Sequence, residues 1–177
     1  MGASYTPLVP SRTDPLGPAP GRDEIRRRLE CCPPVETLLT ADDLEKQREA
    51  AAAPRLTPAA VLLLLVNRPE GPTVVFTQRT ADLADHAGQI SFPGGRAHPD
   101  DPGPTYTALR EAREEVGIDP GVIELLGELP AYHTSTGYRV SPVVGWAEPP
   151  GAWSPDPREV ADVFEVPLAF LLDEANH

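Results

Sequence analysis

The chain has 177 residues, 40% of them hydrophobic, and a formal net charge of −12. This is the size of one ordinary domain with enough apolar material for a real core. The charge argues against a non-specific nucleic-acid binder, which needs a basic face, but not against a small anionic substrate whose charge a divalent metal offsets.

Residues 1–22 hold five prolines and three glycines with few large apolar groups, and read as a disordered arm. They contain no apolar stretch of the signal-peptide kind. The two cysteines, Cys31 and Cys32, are adjacent, too close to bridge each other, and are expected to be reduced thiols. No apolar run approaches the roughly 18 residues that span a bilayer. A cytoplasmic protein with no membrane partner is the expectation.

EIRRRLECC, 24–32, reads as a short helix stopped by Pro33-Pro34, and ADDLEKQREAAAA, 41–53, as a second ending at Pro54. Residues 23–56 therefore form an N-terminal helical segment without site chemistry, and 57–177 form the main domain. AVLLLLVN, 60–67, reads as a buried strand, and GPTVVFTQR, 71–79, as its hairpin partner after a Pro-Glu-Gly-Pro turn. GQISFPGG, 88–95, carries a third short strand into a double glycine. TYTALREAREEVG, 105–117, is the strongest helix candidate, with Gly117 and then Pro120 as its stop signals. IELLGELPAYHT, 123–134, and YRVSPVVGWA, 138–147, alternate as strands do. A proline-rich loop leads to EVADVFEVP and a short helix, LAFLLD. Strands around one strong helix predict an α+β fold.

That helix carries the chemistry. At 100° per residue, Glu111, Glu115 and Glu114 fall at about 0°, +40° and −60°. Leu109, Ala112 and Val116 lie at about 160°, 100° and 140° and form an apolar stripe. Like charges at i,i+3 and i,i+4 destabilise by roughly 0.2–0.5 kcal/mol per pair. Arg110 relieves part of this through Glu114, but one cation does not balance three anions. A bound Mg²⁺ or Mn²⁺ would, since hard cations take oxygen ligands. The glycines ahead of the helix let the backbone come close to metal or phosphate. A solvated Glu/Arg face is the plainer alternative for the helix alone.

Gly95, Asp101 and then Arg110-Glu111-Ala112-x-Glu114-Glu115-x-Gly117-Ile118 resemble the Nudix box, G-x5-E-x7-R-E-U-x-E-E-x-G-U. Asp101 stands where the box has Glu, and eight residues rather than seven separate it from Arg110. The one-residue expansion resembles the coenzyme A pyrophosphatase subgroup. So do Phe76-Thr77-x-Arg79-Thr80, Leu83, His86, Gly88-Gln89 and Phe92-Pro93-Gly94-Gly95 upstream, and LPAYHTSTGYRVSPVVG downstream. Ala84 departs from the pattern, which has a basic residue there.

The resemblance covers about residues 58–172. It implies an α/β/α sandwich with a mixed sheet, continued past LAFLLD by a strand and a C-terminal helix that a chain stopping at His177 would lack. It implies metal-dependent hydrolysis of coenzyme A to 3′,5′-ADP and 4′-phosphopantetheine. Glu111 and Glu115 are the implied first metal ligands, with Glu114 as a third and the Gly94 carbonyl as a fourth. Arg110 would orient the carboxylates. The general base would be a box glutamate, Glu111 or Glu114, or a carboxylate from a later loop, for which Glu159 in DPREV is the candidate. Arg79, His86, Gly95 and Tyr132 are candidate substrate contacts. Alternatives are another nucleoside diphosphate substrate such as ADP-ribose or NADH, a non-catalytic nucleotide-binding module, or a fragment. The sequence leaves oligomeric state open.

Overall fold

The computed structural model describes residues 19–32, 41–52, 55–81 and 88–176. Most of the proline-rich arm lies outside these residues, as do Ala84 and His86. The helices are α1 (Arg22–Glu30), α2 (Ala41–Ala51), α3 (Pro104–Val116) and α4 (Leu168–Leu172). The strands are β1 (Thr57–Val66), β2 (Thr73–Arg79), β3 (Ile90–Ser91), β4 (Gly94–Arg96), β5 (Glu124–Glu128), β6 (Tyr132–His133), β7 (Tyr138–Ala147) and β8 (Val160–Pro167).

β1 organises the sheet because both its faces are apolar, as a strand covered on two sides requires. Ala60, Leu62, Leu64 and Val66 point to one side and pack with Ala108, Ala112 and Val116 of α3. Leu65 points to the other, with Val74, Leu126, Val144 and Trp146, under Ile25 and Leu29 of α1 and Leu168 and Leu171 of α4. β1 runs parallel to β7 along its whole length, from Thr57 opposite Tyr138 to Val66 opposite Ala147. The other pairings are antiparallel. The result is the mixed sheet between helices that was expected.

Three elements depart from the sequence reading. Residues 88–95 are two strands, because Pro93 has no N–H to continue a ladder. β3 pairs with β2, and β4 crosses to the first half of β1, while the Pro93 carbonyl accepts from the Leu62 N–H at 2.8 Å. Residues 123–134 break in the same way around Pro130 into β5 and β6, and a bulge between Leu125 and Gly127 brings Gly127 against Leu29. Residues 160–167, read only as following a loop, form β8, antiparallel to β2 from Val160 opposite Arg79 to Pro167 opposite Thr73.

The helical boundaries shift by one or two residues. α1 begins at Arg22, inside the stretch read as arm. Arg22 and Arg26 both donate to Glu124, at 3.2 and 2.5 Å, and tie α1 to β5. Gln47 of α2 exchanges two hydrogen bonds with the backbone of His133, at 2.9 and 3.0 Å. Cys31 and Cys32 are not joined in a disulfide. Among the described residues no helix is long and apolar enough to cross a membrane.

Leu62 is fully buried between the sheet and α3. Leu62→Ala is expected to cost about 2–5 kcal/mol. Leu172→Ala, at a residue 52% exposed, should stay within about 0.5 kcal/mol. Urea unfolding midpoints of the two variants check the difference.

Candidate active site

The site forms where β4 passes under α3. α3 starts at Pro104, where a missing N–H costs nothing, and ends at Gly117 in the left-handed conformation, φ 73°, with its N–H on the Arg113 carbonyl at 3.1 Å. The double glycine is set by space. A Cβ on Gly94 would stand 2.4 Å from the Ala60 carbonyl oxygen, and one on Gly95 would stand 2.6 Å from the Glu111 carboxyl carbon. The Glu111 carboxylate therefore occupies the volume a side chain at 95 would fill. The Gly94 N–H donates to Glu115 Oε2 at 3.0 Å.

The helix wheel separates the glutamates by burial. Glu115 is 5% exposed, at the edge of the buried stripe beside Ala108 and Ala112. Glu111 is nearly buried, whereas the Glu114 side chain is 58% exposed. Arg110 reaches both, donating from Nη1 to Glu111 at 2.8 Å and to Glu114 at 3.0 Å. Its other donors go to the Arg96 carbonyl at 3.1 Å and to Asp101 at 3.0 Å. Asp101 also accepts from the His98 N–H at 2.9 Å and the Thr107 hydroxyl at 2.8 Å. The Arg110 guanidinium and the His98 N–H hold the Asp101 carboxyl well below the usual carboxylate range, and Asp101 in turn raises Arg110. Asp101 thus fixes the arginine that bonds Glu111 and Glu114.

The loop between β7 and β8 closes the site from above. The Ser154 N–H donates to the Val116 carbonyl at 3.0 Å and the Asp156 N–H to the Glu115 carbonyl at 3.1 Å, satisfying the last carbonyls of α3. The Asp156 carbonyl accepts from the Glu159 and Val160 N–H groups at 3.1 and 2.9 Å, and the Glu159 carbonyl accepts from the Thr80 N–H at 3.0 Å. Glu159 lies exposed on that turn. Its charge raises the proton affinity of both Glu111 and Glu115, and Arg79 lowers that of Glu115. Sequence reasoning missed Ser154 and Asp156; the turn-forming run Ser-Pro-Asp-Pro was their only signal.

Glu111 and Glu115 stand together against Gly95 and Gly94, and the charges of Arg79 and Glu159 act on them from farther off. Arg79 Nε is buried without a hydrogen-bond partner. Tyr132 lies apart on β6, opposite Val140, 46% exposed, with no contact to the carboxylates among the described residues. His86 lies outside the described residues.

A NUDIX domain profile matches residues 56–177. The chain belongs to the Nudix family. It is 45% identical over 119 residues, 67% of its length, to a protein of Photorhabdus laumondii called an uncharacterized Nudix hydrolase NudL. The chain spans 63% of the length of that relative. Among solved structures it resembles RenU, a Nudix hydrolase from M. smegmatis, with a TM-score of 0.53 at 24% identity over 62% of this chain and 70% of that one. It also resembles the NUDIX domain of Shewanella oneidensis NrtR complexed with ADP ribose, with a TM-score of 0.50 at 23% identity over 76% and 86%. Both likenesses concern the fold.

The Nudix box presents oxygen donors to a place short of positive charge. Burial raises Glu111, against the pull of Arg110, and Glu114 and Glu159 add to the rise. Burial also pushes Glu115 up to about 7, only partly opposed by the Gly94 N–H. Among the described residues no group of three or more His, Cys, Asp or Glu side chains is placed to hold a metal ion, so the protein offers at most two such side chains here. A cation here would complete its shell with main-chain carbonyl, water or substrate oxygens, as Mg²⁺ commonly does. The donor set fits a hard divalent ion of that kind.

The raised Glu115 pKa makes a prediction about the metal-free protein. A carboxyl with a raised pKa takes up its proton more readily in the folded than in the unfolded state. Its folded form is therefore destabilised as pH rises from the unfolded value of 4.5 through about 7. Stability of the metal-free protein should fall by on the order of 3 kcal/mol between pH 5 and 8. Glu115→Gln should flatten much of that slope. Melting temperatures of both proteins across this range, in chelator, check it.

Proposed function

We propose that this chain hydrolyses the pyrophosphate bond of coenzyme A or its acyl derivatives, giving 3′,5′-ADP and 4′-phosphopantetheine or its acyl form. The observation that carries the reading is the pair of buried carboxylates, Glu111 and Glu115, set against the backbone of Gly95 and Gly94. The upstream residues Phe76-Thr77-x-Arg79-Thr80 and Gly88-Gln89 through Gly95 match the coenzyme A subgroup and support the choice of substrate.

In this reading Glu111 and Glu115 hold Mg²⁺ or Mn²⁺, with the Gly94 carbonyl as a further donor. When bound, the ion neutralises phosphate charge and lowers the pKa of an attacking water. Arg110, fixed by Asp101, keeps Glu111 and Glu114 oriented. Glu159 takes a proton from the water as its oxygen forms a bond to phosphorus and the bridging P–O bond breaks. The unpartnered Arg79 Nε donates to a phosphate oxygen, which satisfies a buried donor that is otherwise costly. Gly95 gives the phosphate backbone to approach, and Tyr132 and His86 are left to the outer parts of the substrate. A cytoplasmic site of action fits the substrate.

The second reading is a Nudix hydrolase of ADP-ribose, NADH or a similar nucleoside diphosphate derivative. Ala84 favours it, because a basic residue there would hold a 3′-phosphate by charge-assisted hydrogen bonds worth about 1.5–3 kcal/mol.

Product analysis with coenzyme A, dephospho-coenzyme A, ADP-ribose and NADH, each with Mg²⁺ and Mn²⁺, separates the two. Coenzyme A should have the highest kcat/KM, with a modest lead over dephospho-coenzyme A that Ala84→Arg widens through a lower KM. A lead for ADP-ribose would sink the subgroup assignment. Glu159→Gln should lower kcat by about 10²- to 10⁴-fold, the usual contribution of a general base. Glu115→Gln should abolish most turnover with little change in fold. Near-normal turnover by that variant at saturating Mg²⁺ would remove the metal assignment.

A further inference from the structure

Glu165 is a buried acid that the hydrolytic reading does not use. It sits on β8, opposite Val75, 2% exposed. Its carboxylate accepts from Arg68 Nε and Nη2 at 3.0 and 2.6 Å, from the Thr73 hydroxyl at 2.5 Å, and from the Trp153 indole N–H at 3.2 Å. Burial alone would raise this carboxyl, but those donors outweigh it and hold it ionised. Arg68 and Thr73 flank the turn between β1 and β2, so they anchor the acid to rigid sheet. Trp153 belongs to the loop between β7 and β8 and packs its ring on the core under α3.

The position of Trp153 in that loop matters. The next residue, Ser154, bonds the Val116 carbonyl, and Asp156 bonds the Glu115 carbonyl and closes the turn that carries Glu159. The loop is therefore tied in turn to Glu165 of β8 through the indole N–H, to the last carbonyls of α3, and to Thr80 through the Glu159 carbonyl. We infer that Trp153, held by Glu165, is a positioning residue that sets the place of Glu159 relative to the C-terminal end of α3. This rests on Glu159 acting as the base in the reading above. It makes the β7–β8 loop a strap registered to the sheet rather than a free lid. A base displaced by even an ångström loses much of its effect, so a single distant hydrogen bond can govern turnover without touching substrate.

The test removes the N–H and keeps the ring. Trp153→Phe, or replacement of Trp153 by benzothienylalanine where the smaller ring disturbs folding, should lower kcat about tenfold with KM within about twofold. In a Glu159→Gln background the same replacement should change kcat no further, because the residue through which it acts is already lost. Hydrogen exchange in the metal-free protein gives a readout independent of activity: the Ser154 and Asp156 amides should exchange about tenfold faster, while those of β1 and β7 keep their protection. Equal losses of kcat in both backgrounds would show a merely structural role and overturn the inference. Unchanged kcat and unchanged exchange would also overturn it, while leaving Glu159 as base if Glu159→Gln is itself inactive. Full turnover by Glu159→Gln would instead overturn the base assignment and this inference with it.

Discussion

The contact of a strand without side chains against a helix dense with carboxylates is the constraint on which the site depends. β4 can pair with β1 under α3 only because Gly94 and Gly95 present backbone where any Cβ would collide, at 94 with the Ala60 carbonyl and at 95 with the Glu111 carboxyl. That proximity holds Glu111 and Glu115 away from water and gives Glu115 one main-chain N–H as partner. Ala108 and Ala112 complete the arrangement by letting α3 settle onto Ala60 and Leu62. Larger residues at these positions would lift the helix and let water reach the acids. The packing of the core and the electrostatics of the site are thus one feature.

Two arginine–carboxylate clusters frame it, and each fixes geometry rather than adding net stability. Buried ion pairs recover little beyond their desolvation cost, but removing one partner is expensive. Arg110 spreads its donors over Asp101, Glu111, Glu114 and the Arg96 carbonyl, joining the loop before α3 to the helix face. Arg68 and Glu165 do the same between the β1–β2 turn and β8. The guanidinium fork suits both tasks, since its rigid donors fix the direction as well as the distance of each carboxylate. Glu111 and Glu115 keep raised proton affinities because burial outweighs the pull of Arg110 on the one and of the Gly94 N–H on the other.

Sequence periodicity exposed the elements that bury one continuous stripe. The α3 wheel placed Ala112 and Val116 inward, Gly117 ended the helix, and the apolar run of β1 marked the centre of the sheet. It did not resolve which strand pairs with which. Nothing in ISFPGG tells that Pro93 hands the chain from β2 to β1, because that exchange depends on Leu62 finding the Pro93 carbonyl across space. β8 was obscured for a related reason: Glu165 interrupts its apolar pattern and is buried only because Arg68, Thr73 and Trp153 converge from three other segments. The wheel also grouped Glu111, Glu114 and Glu115 as equals. Their burial differs because Glu115 lies on the core side of that arc and Glu114 on the solvent side. The family motif named the acids, but the pairing of Asp101 with Arg110 and the docking of Ser154 and Asp156 onto α3 needed coordinates.

On the proposed hydrolytic reading, the charge order of the site explains how a chain of net charge −12 receives an anionic substrate. Glu111, Glu115 and Glu159 together repel a pyrophosphate at short range, where solvent screening is weak. Arg110 relieves only Glu111 among them, since its other donors face Asp101, Glu114 and the Arg96 carbonyl. Arg79 supplies one positive charge at the rim, with an Nε still lacking a partner. A pyrophosphate approaching that rim alone would meet more negative than positive charge. With a divalent ion held by the two buried glutamates, that balance would reverse at the site. Substrate selection would then operate in two steps of different kind: the buried acids admit a phosphate only in company with the ion, and side chains farther out distinguish what the phosphate is attached to.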